Sequence, residues 1–304
     1  MGELINVALR FALYLDLTLL FGLALFSLYG LRGAQSQWRF RRSLATALVL
    51  GALLSGAALL QLALSMSGAT SLAELDPALL SALMLETAVG QSWLLRLAAL
   101  LLAGGLFLFS SDWPRFTLYG LILCTAAALA TLAWGGHGAM SEGGRHYLHL
   151  GSDILHLLGA GAWLGALAAF ALLLRRDASE DEPQAGHLLD ALKGFASLGT
   201  LIVIVLTISG VLNYLLIVGP DPATLSASTY GLLLSLKVAV FASMLVFAAL
   251  NRFHLVPQLE QALHHGSPAA ALPALRRSML LELAAALLIV GLVATLGILS
   301  PAPE

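Results

Sequence analysis

"FASLGTLIVIVLTISGVLNYLLI", residues Phe195 to Ile217, runs 23 residues without one charged side chain. At about 1.5 Å of rise per residue a helix of this length outspans the roughly 30 Å hydrocarbon layer of a bilayer. Lipid offers the backbone no hydrogen-bond partner, so a continuous apolar run of this length reads as a helix that satisfies its own N–H and C=O groups.

Seven more stretches share that character: Val7 to Tyr29, Leu44 to Met66, Trp93 to Ser110, Arg115 to Trp134, His149 to Leu174, Tyr230 to Leu250 and Met279 to Leu299. The 304 residues are 59% hydrophobic and 11% charged, where a soluble domain carries about a quarter of its residues charged. The sequence therefore predicts an all-α, polytopic integral membrane protein, with residues 1–304 forming a single bundle of eight transmembrane helices. Membrane lipid is its first partner. The first apolar segment has no basic run before it and no small-residue cleavage site after it, so it reads as a retained span and not as a removable signal peptide.

Basic residues set the expected orientation. Arg32, Arg39, Arg41 and Arg42 follow the first span, Arg115 the third, Arg175, Arg176 and Lys193 the fifth, and Arg252, Arg276 and Arg277 the seventh. The opposite loops hold only Arg145. The positive-inside rule then places both termini outside the cytoplasm, together with the loop between spans four and five. Asp76-Pro77 in the outer segment from Ser67 to Ser92 predicts a short surface helix with an aspartate cap and proline in its first turn. On the inner side, Asp177 to Pro183 and His254 to Pro273 read as loops, the second carrying His264 and His265.

One outer stretch concentrates metal-capable side chains. "GHGAMSEGGRHYLHLGSDILHLLGAGAWLG", Gly136 to Gly165, holds four of the eight histidines, with Asp153 and Met140. Gly135-Gly136 and Gly143-Gly144 punctuate a turn that puts His137 and Met140 on a loop. At 100° per residue His146, His149, Asp153 and His156 share an arc of roughly 80° on one helix face. His149 and His156 lie about 10 Å apart along that axis, too far to share one ion. Neighbours at i,i+3 or i,i+4 are within reach of each other, so the stretch reads as one site plus a relay, or as two sites. Imidazole and carboxylate suit Cu(II) or Zn(II), and the thioethers of Met140 and Met66 suit Cu(I). The bland reading makes His146 and His149 an interfacial helix cap. It fits Asp153 and His156 poorly, because His156 lies about two turns inside the span, where ionisable groups are costly.

Further charges fall inside the spans. Arg10, Asp16, Arg96 and Lys237 share the outer half of the bilayer and suggest a polar cavity opening outward; the alternative is structural ion pairing of Asp16 with Arg96 or Lys237. Glu282, near the inner end of span eight, reads as an exit-side ligand or a partner for Arg252. The lone Cys124 excludes an internal disulfide and a CxxC motif. Ser209-Gly210 lacks the preceding glycine of a protease elbow, since Thr207 stands there, and reads as small-residue helix packing. No glycine-rich lysine motif for nucleotide occurs, and nothing in the sequence points to nucleic acid.

"GGHGA" at Gly135 to Ala139 and "DILHLLGAGAWLGAL" at Asp153 to Leu167 resemble the signature of the bacterial copper resistance protein D family. The resemblance extends through "GQSWLLRLAALLLA", "TISGVLNYL", "TYGLLLSLKVAVFASMLVFAALNRFHLVP" and the closing "LRRSMLLELAAALLIVGLVATLGILSPAP". It implies an eight-span protein of the bacterial inner membrane that handles copper and moves it across the membrane, working beside a separate periplasmic copper-binding protein of the copper resistance protein C type. It implies no enzymatic activity. Carried over by position, it points to His137, Asp153, His156, Trp163, Arg96 and Lys237. It leaves open the copper oxidation state, the direction of transport, and whether the protein transports copper or holds it for delivery. A haem protein with axial histidines is the competing reading, and it needs two histidines facing each other across the bundle.

Overall fold

The computed structural model describes residues 2–30, 40–69, 71–109, 115–136, 143–175, 182–220, 228–265 and 267–300. These are α1 (Gly2–Tyr29), α2 (Arg41–Ser67), α3 (Pro77–Glu86), α4 (Ala88–Phe109), α5 (Arg115–Ala130), α6 (Gly144–Arg175), α7 (Glu182–Ile217), α8 (Thr229–Leu250), α9 (Val256–His264) and α10 (Leu272–Leu296), joined by short 3-10 turns and one π-helical turn, Asn251–Leu255. The described residues contain eight helices long and apolar enough to cross a membrane, as the hydropathy pattern predicts.

α1 is the hub. It packs against α2, α5, α6 and α10, while α7 lies on α6, and α8 on α10. Leu17, Leu20, Ala24 and Phe26 of α1 are fully buried. Phe26 meets Phe170 of α6 edge-on at 5.1 Å between ring centroids, and Phe40 at 5.9 Å. α1 and α6 come together backbone to backbone. A Cβ at Gly22 would lie 2.1 Å from the Gly161 carbonyl oxygen, and one at Gly165 would lie 2.3 Å from the Gly22 Cα. Gly161 and Gly165 form the small-xxx-small spacing that lets membrane helices approach closely, so only glycine suits this crossing. Toward lipid, α8 presents Leu232, Val238 and Val246.

Hydroxyls inside the bundle donate back to their own helices, as Ser27 Oγ does to Leu23 O (2.8 Å), Ser55 Oγ to Gly51 O (2.6 Å) and Thr125 Oγ1 to Leu121 O (2.8 Å). This local bonding satisfies a polar group where lipid offers no partner.

Several boundaries differ from expectation. The third and fifth spans begin earlier, at Ala88 and Gly144, because polar residues such as Gln91, Arg145 and His146 continue the helix beyond the apolar run. The segment from His254, expected as a loop, is helical as far as His264. The π turn carries α8 into α9, whose C-terminus holds His264 and His265, and Leu259 is fully buried beneath it. α7 starts at Glu182, so Pro183 sits in its first turn, where the missing N–H costs nothing; residues 177–181 lie outside the described residues. The short helix α3 forms with Asp76 as its cap, the carboxylate accepting from Ala78 N at 2.8 Å. Leu83 anchors it, buried with Leu59 and Ala63 of α2.

Candidate functional site

α6 carries the polar face expected of it. Gly143 takes a left-handed φ of 65°, a conformation that glycine adopts without strain, and its carbonyl accepts from His146 N at 3.1 Å to start the helix. One turn on, His149 is 2% exposed, and its Nε2 stands 3.9 Å from Asp153 Oδ2. The i,i+4 pairing foreseen from the spacing is therefore made between His149 and Asp153. His146 is half-buried, packs edge-on against Tyr147 at 5.5 Å between ring centroids, and keeps its Nδ1 buried without a hydrogen-bond partner.

α7 closes the face. Asn213 Nδ2 donates to Asp153 Oδ1 at 2.6 Å, while Asn213 Oδ1 is buried with no partner. One turn along, His156 Nδ1 lies 2.9 Å from Ser209 Oγ. The Ser209 hydroxyl already donates its one proton to Val205 O at 2.6 Å, so the hydrogen bond requires His156 to carry its proton on Nδ1 and donate. The lone pair of a neutral His156 then resides on Nε2, the form that a metal ion binds. Ser152 Oγ also donates to Ser209 O at 3.2 Å, tying α6 to α7 beside the pair. The imidazole lies beside Gly210, where a Cβ would stand 3.5 Å from His156 Cε1, an ordinary van der Waals contact.

Lys237 and Tyr230 of α8 complete the cluster. Lys237 lies within electrostatic range of both Asp153 and His156, and Tyr230 within range of Asp153. A side chain at Gly136 would begin 3.9 Å from Asp153 Oδ2, so the chain that leads into the 137–142 segment starts beside this carboxylate. His137 and Met140 lie outside the described residues. Arg10 Nη1 and Nη2 reach the Gly135 carbonyl at 3.5 and 3.4 Å, and the Arg10 guanidinium lies against Gly297. The start of α1, the end of the fourth span and the end of α10 therefore meet at the same end of the bundle as this cluster.

Asp16 and Arg96 stand elsewhere. Arg96, 7% exposed, donates through Nε to Thr131 Oγ1 at 2.7 Å and through Nη2 to Thr131 O at 3.4 Å. Asp16, 8% exposed, lies against Gly51 of α2 with Oδ2 unpartnered. The ion pairs of Asp16 with Arg96 or Lys237, one of the two readings of these charges, are not made among the described residues. Threonine already occupies the Arg96 guanidinium, and Lys237 belongs to the α6–α8 cluster.

Of the two readings of Glu282, the pairing with Arg252 is not made. Glu282 is 2% exposed and accepts from Trp163 Nε1 at 2.7 Å and from Asn251 Nδ2 at 3.0 Å. Arg252, expected as its partner, turns away and donates to Ala196 O at 3.1 Å and to Thr200 Oγ1. Trp163 is therefore more than packing. It is buried, meets Phe241 edge-on at 5.9 Å, and spends its indole N–H on Glu282.

Reading the sequence missed Asn213, Ser209, Ser152 and Asn251. The available signal was that each is a polar residue within or at the end of an apolar run, where it needs a partner on a neighbouring helix. Among the described residues no three His, Cys, Asp or Glu side chains converge in a metal-binding group. Nor does any described histidine face the α6 imidazoles across the bundle: His187, His254, His264 and His265 all lie at the far ends of α7, α8 and α9.

The sequence matches two family models, "Copper resistance protein D-like, N-terminal domain" over residues 1–147 and "Copper resistance protein D" over residues 189–296. It is 45% identical over 308 residues to copper resistance protein D of Pseudomonas syringae pv. tomato, covering 100% of this chain and 99% of that one. It is 31% identical over 267 residues to inner membrane protein YebZ of Escherichia coli, covering 86% and 88% of the two chains. Copper transport protein CutJ of Bacillus subtilis is 28% identical over 251 residues, 80% of this chain but 45% of that longer protein. No solved structure matches. With eight membrane-spanning helices and this kinship, the molecule is a multi-pass protein of the inner membrane.

Proposed function

Because the chain belongs to the copper resistance protein D family, we propose that it takes copper at the outward-facing end of the bundle and passes it inward along the polar face of α6. The observation that carries this reading is the buried His149–Asp153 contact, with Asn213 holding the second carboxylate oxygen. The pair supplies one nitrogen and one oxygen donor, and the unpartnered Asn213 Oδ1 adds a further acceptor. His146 stands at the rim of this entry site, and His137 and Met140, which lie outside the described residues, are assigned to it from the sequence alone. His156, held by Ser209 with Nε2 free to bind, is the second station. A fixed tautomer orients such a ligand before the ion arrives.

Lys237 moderates the negative charge that Asp153 would otherwise present, weakening the hold on a divalent cation so that it moves on. Arg96 acts at a distance by fixing the turn at Thr131 that leads into Gly135 and Gly136. Copper is the cargo, the protein binds and moves it without enzymatic turnover, and a separate periplasmic copper-binding protein delivers it or takes it up. Copper accumulation in cells producing His156→Ala, at protein levels matched to wild type, falls to that of cells lacking the protein. Accumulation at the wild-type level in that variant overturns the assignment.

A further inference from the structure

Seven residues beyond His156 along α6, about 10 Å deeper by helical rise, Trp163 opens a second polar centre that the copper site does not include. Glu282 lies at its middle, its two carboxylate oxygens held by Trp163 Nε1 and Asn251 Nδ2. Two more oxygens are buried there without a hydrogen-bond partner: Asn251 Oδ1, on the amide that already touches Glu282, and Ser278 Oγ, one turn before Glu282 on the same face of α10. Asn251 belongs to the π-helical turn, a local widening of the helix that recurs at functional sites.

Among the described residues no cationic side chain pairs with this carboxylate. The ion pairs His149–Asp153 and Lys193–Glu260 lie away from Glu282. On α6 the nearest ionisable groups are His156 and Asp153, toward the other end. On α8 Lys237 serves Asp153. At the π turn Arg252 points to Ala196 and Thr200, and His254 is exposed. On α1 Arg10 is held at Gly135 and Asp16 lies on Gly51, and Tyr14 and Tyr29 are its phenolic side chains. The 3-10 turn Pro268–Ala270 has no ionisable side chain, and Arg276 and Arg277 of α10 itself are exposed. An unneutralised carboxylate in a membrane interior is costly, and a proton removes that cost.

We propose that Glu282 is an intramembrane proton-binding site that loads and releases a proton as the protein cycles. The surroundings satisfy both forms. Ionised, the carboxylate accepts from Trp163 and Asn251. Protonated, it keeps the indole bond on one oxygen, and its new O–H donates to Ser278 Oγ or, with the amide turned over, to Asn251 Oδ1. The proton comes from water and returns to it. The coupling of this proton to copper movement rests on the transport reading above; the titration of Glu282 does not.

The test is infrared difference spectroscopy of the purified, copper-free protein in lipid nanodiscs, titrated across the neutral pH range. Wild type gains a carboxylic-acid C=O band on acidification. Glu282→Gln loses it, Asp16→Asn keeps it, and Trp163→Phe shifts its frequency because the indole bond is gone. A band that survives Glu282→Gln and is unmoved by Trp163→Phe overturns the proposal, as does the absence of any titrating band in wild type. If Glu282→Gln does not fold, the frequency shift in Trp163→Phe decides. In proteoliposomes, copper movement is then accompanied by proton movement in wild type and not in Glu282→Gln. Copper movement without proton movement in wild type overturns the coupling; a lack of any copper movement overturns the transport reading and leaves the infrared result standing.

Discussion

Replacing Gly165 with alanine adds one methyl group at the tightest crossing in the bundle. That Cβ would lie 2.3 Å from the Cα and carbonyl carbon of Gly22, whereas carbon atoms settle at about 3.5–4.0 Å. α1 and α6 must therefore part by more than about 1 Å, and the obstacle is backbone, which no rotamer change relieves. Overpacking a core costs about 1–3 kcal/mol, and a clash with backbone belongs at the upper end of that range. α1 is also the hub, so the separation is felt at α2, α5 and α10. Thermal unfolding of the detergent-solubilised protein, followed by tryptophan fluorescence, is expected to show a midpoint lowered by roughly 5–10 °C, from the entropy scaling of larger domains. Gly56→Ala is the control: a Cβ there meets nothing within 4 Å, and alanine is the better helix former, so its midpoint stays level or rises. Equal midpoints for Gly165→Ala and wild type would refute the claim that backbone contact between α1 and α6 fixes the bundle.

Other expectations concern the polar face and the short helix α3. Asn213→Leu removes the donor to Asp153 Oδ1 and lowers copper retention by purified protein about tenfold, the low end for losing a residue that orients a ligand; unchanged retention shows that Asp153 needs no such support. Ser209→Ala frees the His156 ring to adopt either tautomer, and nitrogen-15 chemical shifts of the imidazole, a single Nδ1–H form in wild type, report a mixture in the variant. Asp76→Ala removes the cap of α3 and destabilises the protein by about 1 kcal/mol, read as a small drop in the same thermal midpoint with copper retention unchanged.

The fold was legible because hydropathy in lipid is close to deterministic: eight apolar runs gave eight spans. Helix ends were less so, since a polar residue at the membrane edge continues a helix as readily as it ends one, as at Gly144–Tyr147 and across Val256–His264. The i,i+4 relation of His149 and Asp153 followed from helical spacing alone. What spacing cannot give is which residue a neighbouring helix brings alongside. Asn213, Ser209 and Asn251 were invisible as partners for that reason, and the ion pairs weighed as one alternative for Asp16, Arg96 and Glu282 are not delivered by the packing of the helices.

The measurement that bears most directly on copper handling is metal content by elemental analysis of detergent-purified protein after loading with copper or zinc and desalting. Wild type is compared with His149→Ala/His156→Ala and, as a control away from the cluster, with Gly56→Ala. Wild type and the control are expected to retain copper in preference to zinc, and the double variant to lose it. Equal copper retention by all three, or none by wild type, contradicts the assignment of the α6 face as the copper path.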